Sequence, residues 1–198
     1  MESAGEVDAA KRDLLLALAV TDRGFKASAS QQANVREKID RLAEYSSTAS
    51  IEGNWTLAWT DAPDILGLSG GPLGVVGRVG QVISADTIVN VIEYEPVKWL
   101  PLSTLALQQR VILNYTRDGN EVVLTLRGVG GRARPPFGGA KAEFGKPVDV
   151  VGPGSLPFGR FRILYNDGDL RIVRTAQGYF SVNLKEGPAD ETTTGAED

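Results

Sequence analysis

Two glutamates, Glu93 and Glu95, stand two residues apart in a stretch that has the composition of a β-strand. That spacing places both carboxylates on one face of a strand, and paired carboxylates can perform general acid–base chemistry. The lysine and tryptophan that follow complete no catalytic motif. The sequence therefore favours a solvent-exposed polar row over a catalytic pair.

Histidine and cysteine are both missing from the 198 residues. Without cysteine there are no disulfides, no thiolate nucleophile and no zinc finger. Without histidine there is no imidazole base, which excludes Ser-His-Asp and Cys-His mechanisms and His-metal sites. We therefore predict a binding protein and not an enzyme, with no cofactor and no metal.

The composition restricts the class of protein further. Hydrophobic residues make up 42% of the chain, enough to build a packed core. No apolar run approaches the roughly 18 to 20 residues of a transmembrane segment. No basic stripe is interleaved with aromatic residues, so no nucleic-acid partner is expected. The first residues have neither the pattern of a signal peptide nor that of a transit peptide, so we expect no transit peptide in this chain.

Two amphipathic helices are predicted in the leader, residues 1–50. The first has an apolar stripe at helical spacing and ends near Gly24, a candidate left-handed cap. The second begins at Ser28, which forms a capping-box pattern with Gln31. Arg36 is expected to point outward from it. The apolar stripes consist of Val7, Ala10, Leu14, Leu15 and Leu18 in the first helix and Val35, Ile39 and Leu42 in the second.

From about residue 51 the pattern changes to the two-residue period of β-strands. Asp118-Gly119 and Asn166-Asp167-Gly168 are strong hairpin signals. Together they predict a mainly β fold, an antiparallel β-barrel of about eight strands with two N-terminal α-helices. We assign 51–185 to the barrel and 186–198 to a disordered acidic tail. Predicted strands are 53–60, 75–85, 87–95, 104–116, 121–129, 159–165, 169–174 and 178–184.

Two loop segments are candidates for contact with a membrane or another surface. Trp99, Leu100 and Leu102 form an apolar segment that is either an exposed anchor for lipid or a protein partner, or tucked core. A long stretch rich in glycine and proline, 128–159, carries basic residues that include Arg132 and Arg134. It is either a solvated loop or a segment that docks on an anionic membrane surface.

Three sequence blocks resemble those of the plastid lipid-associated protein family, also called fibrillins. They are Leu18-Ala-Val-Thr-Asp-Arg-Gly24, Gly53-Asn-Trp55 with Trp59-Thr60, and Asp167-Gly-Asp-Leu-Arg-Ile-Val-Arg174. Their order and spacing extend the resemblance over roughly residues 8–185. It implies a lipocalin-like barrel in plastids such as the chloroplast. It also implies association with plastoglobules or thylakoids, and a role in storing or protecting lipids, isoprenoid quinones and carotenoids.

The resemblance also implies how the barrel closes. In lipocalin-type barrels the Gly-x-Trp tryptophan, here Trp55, lies at the closed end, where an arginine from the last strands covers it. If Leu170 and Ile172 point inward, Arg174 packs on Trp55 by a cation–π contact. Arg171 then faces outward and holds the hairpin through Asp167 and Asp169.

Two aromatic strand faces are candidate ligand contacts. One consists of Trp55, Leu57 and Trp59, and the other of Phe161, Ile163 and Tyr165. Each either lines a pocket for a lipophilic small molecule or fills the barrel as core. Three functions follow: a binder of a lipophilic ligand such as a fatty acid, quinone or carotenoid; a peripheral coat of lipid surfaces with a filled barrel; and an enzyme or accessory protein of isoprenoid or fatty-acid metabolism.

Overall fold

The computed structural model describes six parts of the chain. Trp99, Leu100 and Leu102 lie outside them, and Arg132 and Arg134 are described in their backbone alone. Whether these five residues contact a lipid surface therefore stays a prediction. The described residues are 4–45, 49–68, 75–95, 106–134, 142–144 and 157–187.

The predicted leader helices are confirmed. Helix α1 spans Ala4–Ala19 and α2 spans Ala29–Ala43, with a 3-10 turn at Asp22–Gly24 between them. Ser28 caps α2 in a complete capping box with Gln31. A third, short helix, α3 at Pro63–Leu66, follows the first strand and was not predicted. Its proline at the first helical turn is the available sequence signal, because that position has no hydrogen-bond partner to lose.

The strands form one ring-like antiparallel sheet, as the hairpin signals predict. Neighbours in the ring follow the order β1-β2-β3-β4-β5-β7-β8-β9, and β9 pairs with β1. Pairing β4 with β5 leaves none of these eight strands at an edge. The strands are β1 Gly53–Thr60, β2 Val75–Ile83, β3 Thr87–Glu95, β4 Ala106–Asp118, β5 Glu121–Arg134, β6 Ala142–Phe144, β7 Pro157–Asn166, β8 Leu170–Thr175 and β9 Phe180–Lys185.

The predicted loop 128–159, with predicted strands ending at 129 and starting again at 159, contains more strand than expected. β5 continues to Arg134 beside β4, the short β6 pairs with it, and β7 starts at Pro157. The continuation of β5 was not predicted because glycines at 128, 130 and 131 break the alternation of apolar and polar residues. Backbone hydrogen bonds to β4 do not require side chains, so the ladder continues through them.

Helices α1 and α2 pack on one side of the sheet. Leu14, Ile39 and Leu42 are fully buried there against Trp59 and Ile172. Leu15, predicted to belong to the buried stripe, is 37% exposed. The other side of the sheet contributes two further clusters, one around Trp55 and one around Leu57. Because helices cover one side and the strands enclose the other, several strands are apolar on both faces.

Two β-bulges place aromatic residues on the face of the sheet opposite to the one that simple alternation predicts. The register between β1 and β9 shifts between Leu57 and Trp59, and that between β7 and β8 shifts between Ile163 and Tyr165. An extra residue reverses the alternation beyond it. Trp59 and Tyr165 consequently pack under the helices, while the residues before each bulge face inward. The prediction that each trio shares one face is wrong for this reason.

Glu186, the first residue of the predicted acidic tail, is held against the sheet. The Glu186 amide donates to the Asn54 carbonyl at 2.8 Å. Its carboxylate accepts hydrogen bonds from Arg78 Nε at 2.6 Å and from the Thr56 hydroxyl. The hydrogen bond from Arg78 is the main cause that lowers the pKa of Glu186. The rest of the tail beyond residue 187 lies outside the described residues.

Candidate functional site

Trp55 is buried in the space that the ring encloses. Its side chain is fully buried, and its indole Nε1 donates to the Ile51 carbonyl at 2.7 Å. The surrounding side chains include Ile88, Leu113 and Val122, each fully buried. Ile51, just before β1, is buried in the same cluster, and the position of Trp55 at a closed end of a barrel stays a prediction.

The arginine on Trp55 is Arg171, so the prediction of Arg174 is wrong. The Arg171 guanidinium carbon lies 4.5 Å from the centroid of the Trp55 ring, whereas Arg174 lies 5.3 Å from that of Phe180. The prediction assumed that the alternate residues Leu170 and Ile172 point inward, but both pack under the helices. Arg171 therefore faces inward and is fully buried.

The buried guanidinium of Arg171 has an incomplete set of hydrogen bonds. Its Nη2 donates to Gln81 Oε1, but its Nε and Nη1 have no hydrogen-bond partner among the described residues. Gln81 Nε2 in turn donates to Asn90 Oδ1 at 2.9 Å. Burial lowers the pKa of Arg171 to about 9, which still leaves it protonated at neutral pH. A positive charge is thus held inside the ring, at one end of a short chain of hydrogen bonds through Gln81 and Asn90.

A cavity of about 650 Å³ lies in the ring and is partly open to the surface. Its volume falls within the several hundred cubic ångströms typical of small-molecule sites. Asp64 is the one carboxylate among its described lining residues. Gln81, Asn90 and Asn183 supply polar groups. The aliphatic and aromatic lining includes Leu57, Ile65, Leu68, Val79, Val91, Val111, Leu124, Phe158, Phe161 and Val173.

Of the six predicted ligand contacts, the structure brings two to the cavity. Leu57 and Phe161 line it. Trp55 and Ile163 pack together in the inner cluster at the closed end. Trp59 and Tyr165 lie on the helix side of the sheet, so their assignment as ligand contacts is wrong, because the bulges turn them away.

Asp167 joins the closing hairpin to α1, which sequence reasoning missed. Its carboxylate accepts hydrogen bonds from Lys11, from the Tyr165 hydroxyl at 2.9 Å and from the Leu170 and Asp169 amides at 2.8 and 3.0 Å. Burial raises the pKa of Asp167, but these hydrogen bonds together outweigh it and lower the pKa to about 2. The side chain of Arg171 points the other way, so its predicted role in tying down this hairpin is wrong.

Asp61 fixes α2 beside one end of the cavity. Its side chain is 1% exposed and accepts hydrogen bonds from Arg36 Nε at 2.8 Å and from the Phe180 amide at 2.7 Å. Arg36, predicted to point outward from α2, is 47% exposed and still reaches Asp61, a partner that the sequence did not indicate. The next residues, Ala62 and Pro63, line the cavity. The ion pair therefore holds the segment that shapes this part of its wall.

The two glutamates that resemble a catalytic pair are at the surface. Glu93 Oε1 accepts from Gln108 Nε2 at 3.0 Å and lies 3.7 Å from Arg78 Nη1, and its side chain is 40% exposed. Glu95 is exposed at the end of β3. Neither lines the cavity. Within the described ranges, no group of three or more acidic residues could hold a metal ion.

Comparison with known proteins gives one family. A family model described as PAP_fibrillin matches residues 8–125, more than half of the chain. The match includes the first two blocks singled out in the sequence and ends before the third. No curated protein matches the chain. Among the described residues, no helix is long and apolar enough to cross a membrane.

Proposed function

The chain belongs to the PAP_fibrillin family of plastid lipid-associated proteins, and from this premise we propose that it binds a hydrophobic small molecule or lipid inside its ring of strands without catalysing a reaction. The fold is then a lipocalin-like barrel that carries its ligand in the cavity. Fatty acids, isoprenoid quinones and carotenoids are the ligand classes. The protein is located in the plastid, at plastoglobules or thylakoids.

The cavity is the observation that carries this proposal. A barrel of about eight strands is just wide enough for side chains to fill. Here about 650 Å³ remains open, and aliphatic and aromatic side chains form most of its wall. A filled interior would have favoured a purely structural role. Burying an apolar ligand against this wall is favourable by roughly 25 cal/mol for each Å² removed from water.

The polar content of the cavity argues against catalysis. Its amide side chains, Gln81, Asn90, Gln177 and Asn183, have no acid–base function at neutral pH. The titratable side chains of the lining are Asp64 and Tyr179, and no hydrogen bond joins these two among the described residues. General acid–base chemistry requires a titratable group within reach of the substrate proton, and a pair for most mechanisms.

A variant that blocks the cavity tests the proposal. Val111 lines the cavity, whereas Val123 is 47% exposed on the next strand and does not. We expect Val111→Trp to weaken binding of a decyl-substituted benzoquinone by at least tenfold in calorimetric titration. Val123→Trp is the matched control and leaves the affinity within twofold. Equal affinity in all three proteins, or no binding to the unaltered chain by the quinone or by dodecanoate, contradicts the proposal.

A second candidate, peripheral binding to a lipid surface, rests on Phe158. This side chain lines the cavity and is 48% exposed, so it marks a place where the cavity meets the surface. An apolar side chain at an opening can insert into a lipid boundary. In liposome flotation, Phe158→Ser then reduces the bound fraction. Unchanged flotation of this variant rules out the contact through Phe158.

A further inference from the structure

The hairpin of β8 and β9 gives the cavity a polar side. Five polar residues of this hairpin line the cavity, and each has an uncharged side chain. They lie on one face, because Thr175 is bonded to Tyr179 across the turn, Val173 pairs with Ser181, and Asn183 follows two residues later. We call them the polar stripe: Thr175, Gln177, Tyr179, Ser181 and Asn183.

The polar stripe runs from the surface into the interior. Gln177, in the turn, is exposed, Tyr179 and Ser181 are half-buried, and Asn183 is 4% exposed. A ligand that lies along the stripe therefore meets polar groups from the opening of the cavity to its buried part.

The wall that faces the polar stripe is apolar. β4 is the strand opposite β9, because β1, β2 and β3 separate them on one side of the ring and β5, β7 and β8 on the other. Val111 of β4 and its neighbours Val91 and Leu124 line the cavity there. The polar amides elsewhere in the lining, Gln81 and Asn90, are bonded to each other. The cavity thus has one polar and one apolar wall.

Asn183 is the buried member of the polar stripe, and its side chain lacks a partner. Thr175 and Ser181 form hydrogen bonds with the Tyr179 amide and the Thr60 hydroxyl. No hydrogen bond joins the Asn183 amide group to another described residue. The group is not sealed as the free donors of Arg171 are, so it is open to the cavity. Native structures pair almost all buried polar groups, so we expect a partner from a molecule in the cavity.

The chemistry of the polar stripe selects the polar group that fits it. Hydroxyl and amide side chains both donate and accept hydrogen bonds, and a ligand hydroxyl can match either function. A carbonyl or a carboxylate only accepts. The single charged side chain of the described lining is the carboxylate of Asp64, so no cation of the lining would neutralise an anionic head. An uncharged head with hydroxyl groups fits this wall.

Resting on the function proposed above, we propose that the cavity binds an uncharged single-chain lipid whose head carries two or more free hydroxyl groups, and that Asn183 determines this preference. The hydroxyl groups bond along the polar stripe, one of them to the Asn183 amide group. The acyl chain lies against Val91, Val111 and Leu124 on the facing wall. This ligand class adds to the fatty acids, quinones and carotenoids of the proposed function.

Three ligands with the same acyl chain test this assignment: 1-monodecanoylglycerol, methyl decanoate and decanoate, each titrated at pH 8 below its solubility limit and micelle concentration. We expect the glycerol ester to bind at least ten times more tightly than the methyl ester, which has no hydroxyl group, and more tightly than the acid. Equal affinity for the two esters, or tightest binding of the acid, overturns the assignment while leaving the proposed function intact. Failure of all three ligands overturns it as well, and if the decyl-substituted benzoquinone also fails to bind, the proposed function itself is contradicted.

Substitutions assign the preference to Asn183. Asn183→Leu nearly keeps the size of the side chain but removes the amide group, and should reduce the preference for the glycerol ester over the methyl ester to less than about threefold. Asn114→Leu, at an exposed position of β4 outside the cavity lining, is the matched control and should leave the preference unchanged. A preference that survives in a folded Asn183→Leu, or an equal loss in the control, overturns the assignment. If Asn183→Leu does not fold, Tyr179→Phe removes one hydroxyl from the polar stripe instead, and an unchanged preference then overturns the proposal.

Discussion

Asp167 shows how a single side chain connects two parts of this molecule. It lies in the predicted hairpin turn, where its Oδ1 accepts backbone hydrogen bonds, and its Oδ2 binds Lys11 on α1. The sequence indicates the turn, because Asn-Asp-Gly is a local signal. It does not indicate the partner on α1, which lies 156 residues away along the chain. Interactions of this kind depend on the assembled fold.

Asp167 should make stability depend on acid pH. Its pKa falls from 3.8 to about 2 on folding, so the stabilisation is complete above about pH 4 and is lost as the pH falls toward 2. Asp167→Asn is expected to cost about 1 kcal/mol at pH 6, a value reduced for solvent screening of a partly exposed pair. Urea unfolding of both proteins between pH 6 and pH 3 measures the difference, which should shrink as the pH falls.

The exposed neighbour Asp169 provides the control for this measurement. Its amide donates to Asp167, and its side chain is exposed. Asp169→Asn should therefore leave the unfolding free energy within about 0.5 kcal/mol, as for most surface substitutions. If both variants lose stability equally at pH 6, or if the loss in Asp167→Asn grows toward pH 3, the hydrogen-bonded carboxylate is not the cause.

The turn between α1 and α2 attaches the helical leader to the sheet. Arg23 Nη2 donates to the Val76 carbonyl at 3.1 Å, and its Nη1 binds the Gly77 carbonyl. These carbonyls lie where the register between β2 and β3 shifts. A bulge disrupts the regular ladder there, and the arginine supplies donors at that point. This contact gives a structural reason for the Thr-Asp-Arg-Gly block that resembles the family.

Gly24 should be intolerant of a side chain. Its φ is +100°, and a Cβ atom would lie 2.1 Å from the Thr60 carbonyl oxygen. We expect Gly24→Ala to cost at least about 2 kcal/mol, because a left-handed conformation and a backbone clash act together. Gly119 separates the two effects, because its φ is also positive, at +56°, but a Cβ atom there would have no neighbour within 4 Å. Gly119→Ala should therefore cost only about 1 kcal/mol. Denaturant midpoints of the two variants measure this, and equal losses would mean that the close approach is not needed.

Local patterns predicted the elements, and the bulges show where such patterns stop. The capping box, the hairpin turns and most strand bounds are written in consecutive residues, so they could be predicted. The extra residue near Ala58 in β1 and near Leu164 in β7 carries no glycine or proline to mark it. The two-residue alternation along β8 predicted the wrong arginine on Trp55, because Leu170 through Val173 are all buried and do not show which face is inside. When both faces are apolar, alternation alone does not tell inside from outside.

The whole molecule combines a closed ring of strands with a covered side and an open cavity. The helices bury one outer face, and the cluster around Trp55 fills part of the interior. The ring leaves its eight strands fully paired, so the cavity can persist without edge strands that would pair with other chains. Under the proposed function, the helices and the Trp55 cluster contribute stability, and the cavity is the place for the ligand.

Ligand binding should stabilise the whole fold. A ligand that binds only the folded chain adds about 2.7 kcal/mol to the free energy of unfolding at a concentration one hundred times its Kd. Dodecanoate at that excess should therefore raise the urea midpoint of the unaltered chain and have little effect on Val111→Trp. A midpoint that does not move at saturating ligand would mean that the ligand has no preference for the folded chain, which contradicts the proposal.

Native mass spectrometry tests the central claim most directly. The protein is incubated with a plastid lipid extract and purified again before its mass is measured. The account predicts a mass increment equal to one hydrophobic molecule per chain, released by organic solvent and absent from Val111→Trp prepared in the same way. A bare mass for the unaltered chain, or the same increment on the variant with the blocked cavity, would contradict ligand binding in this cavity.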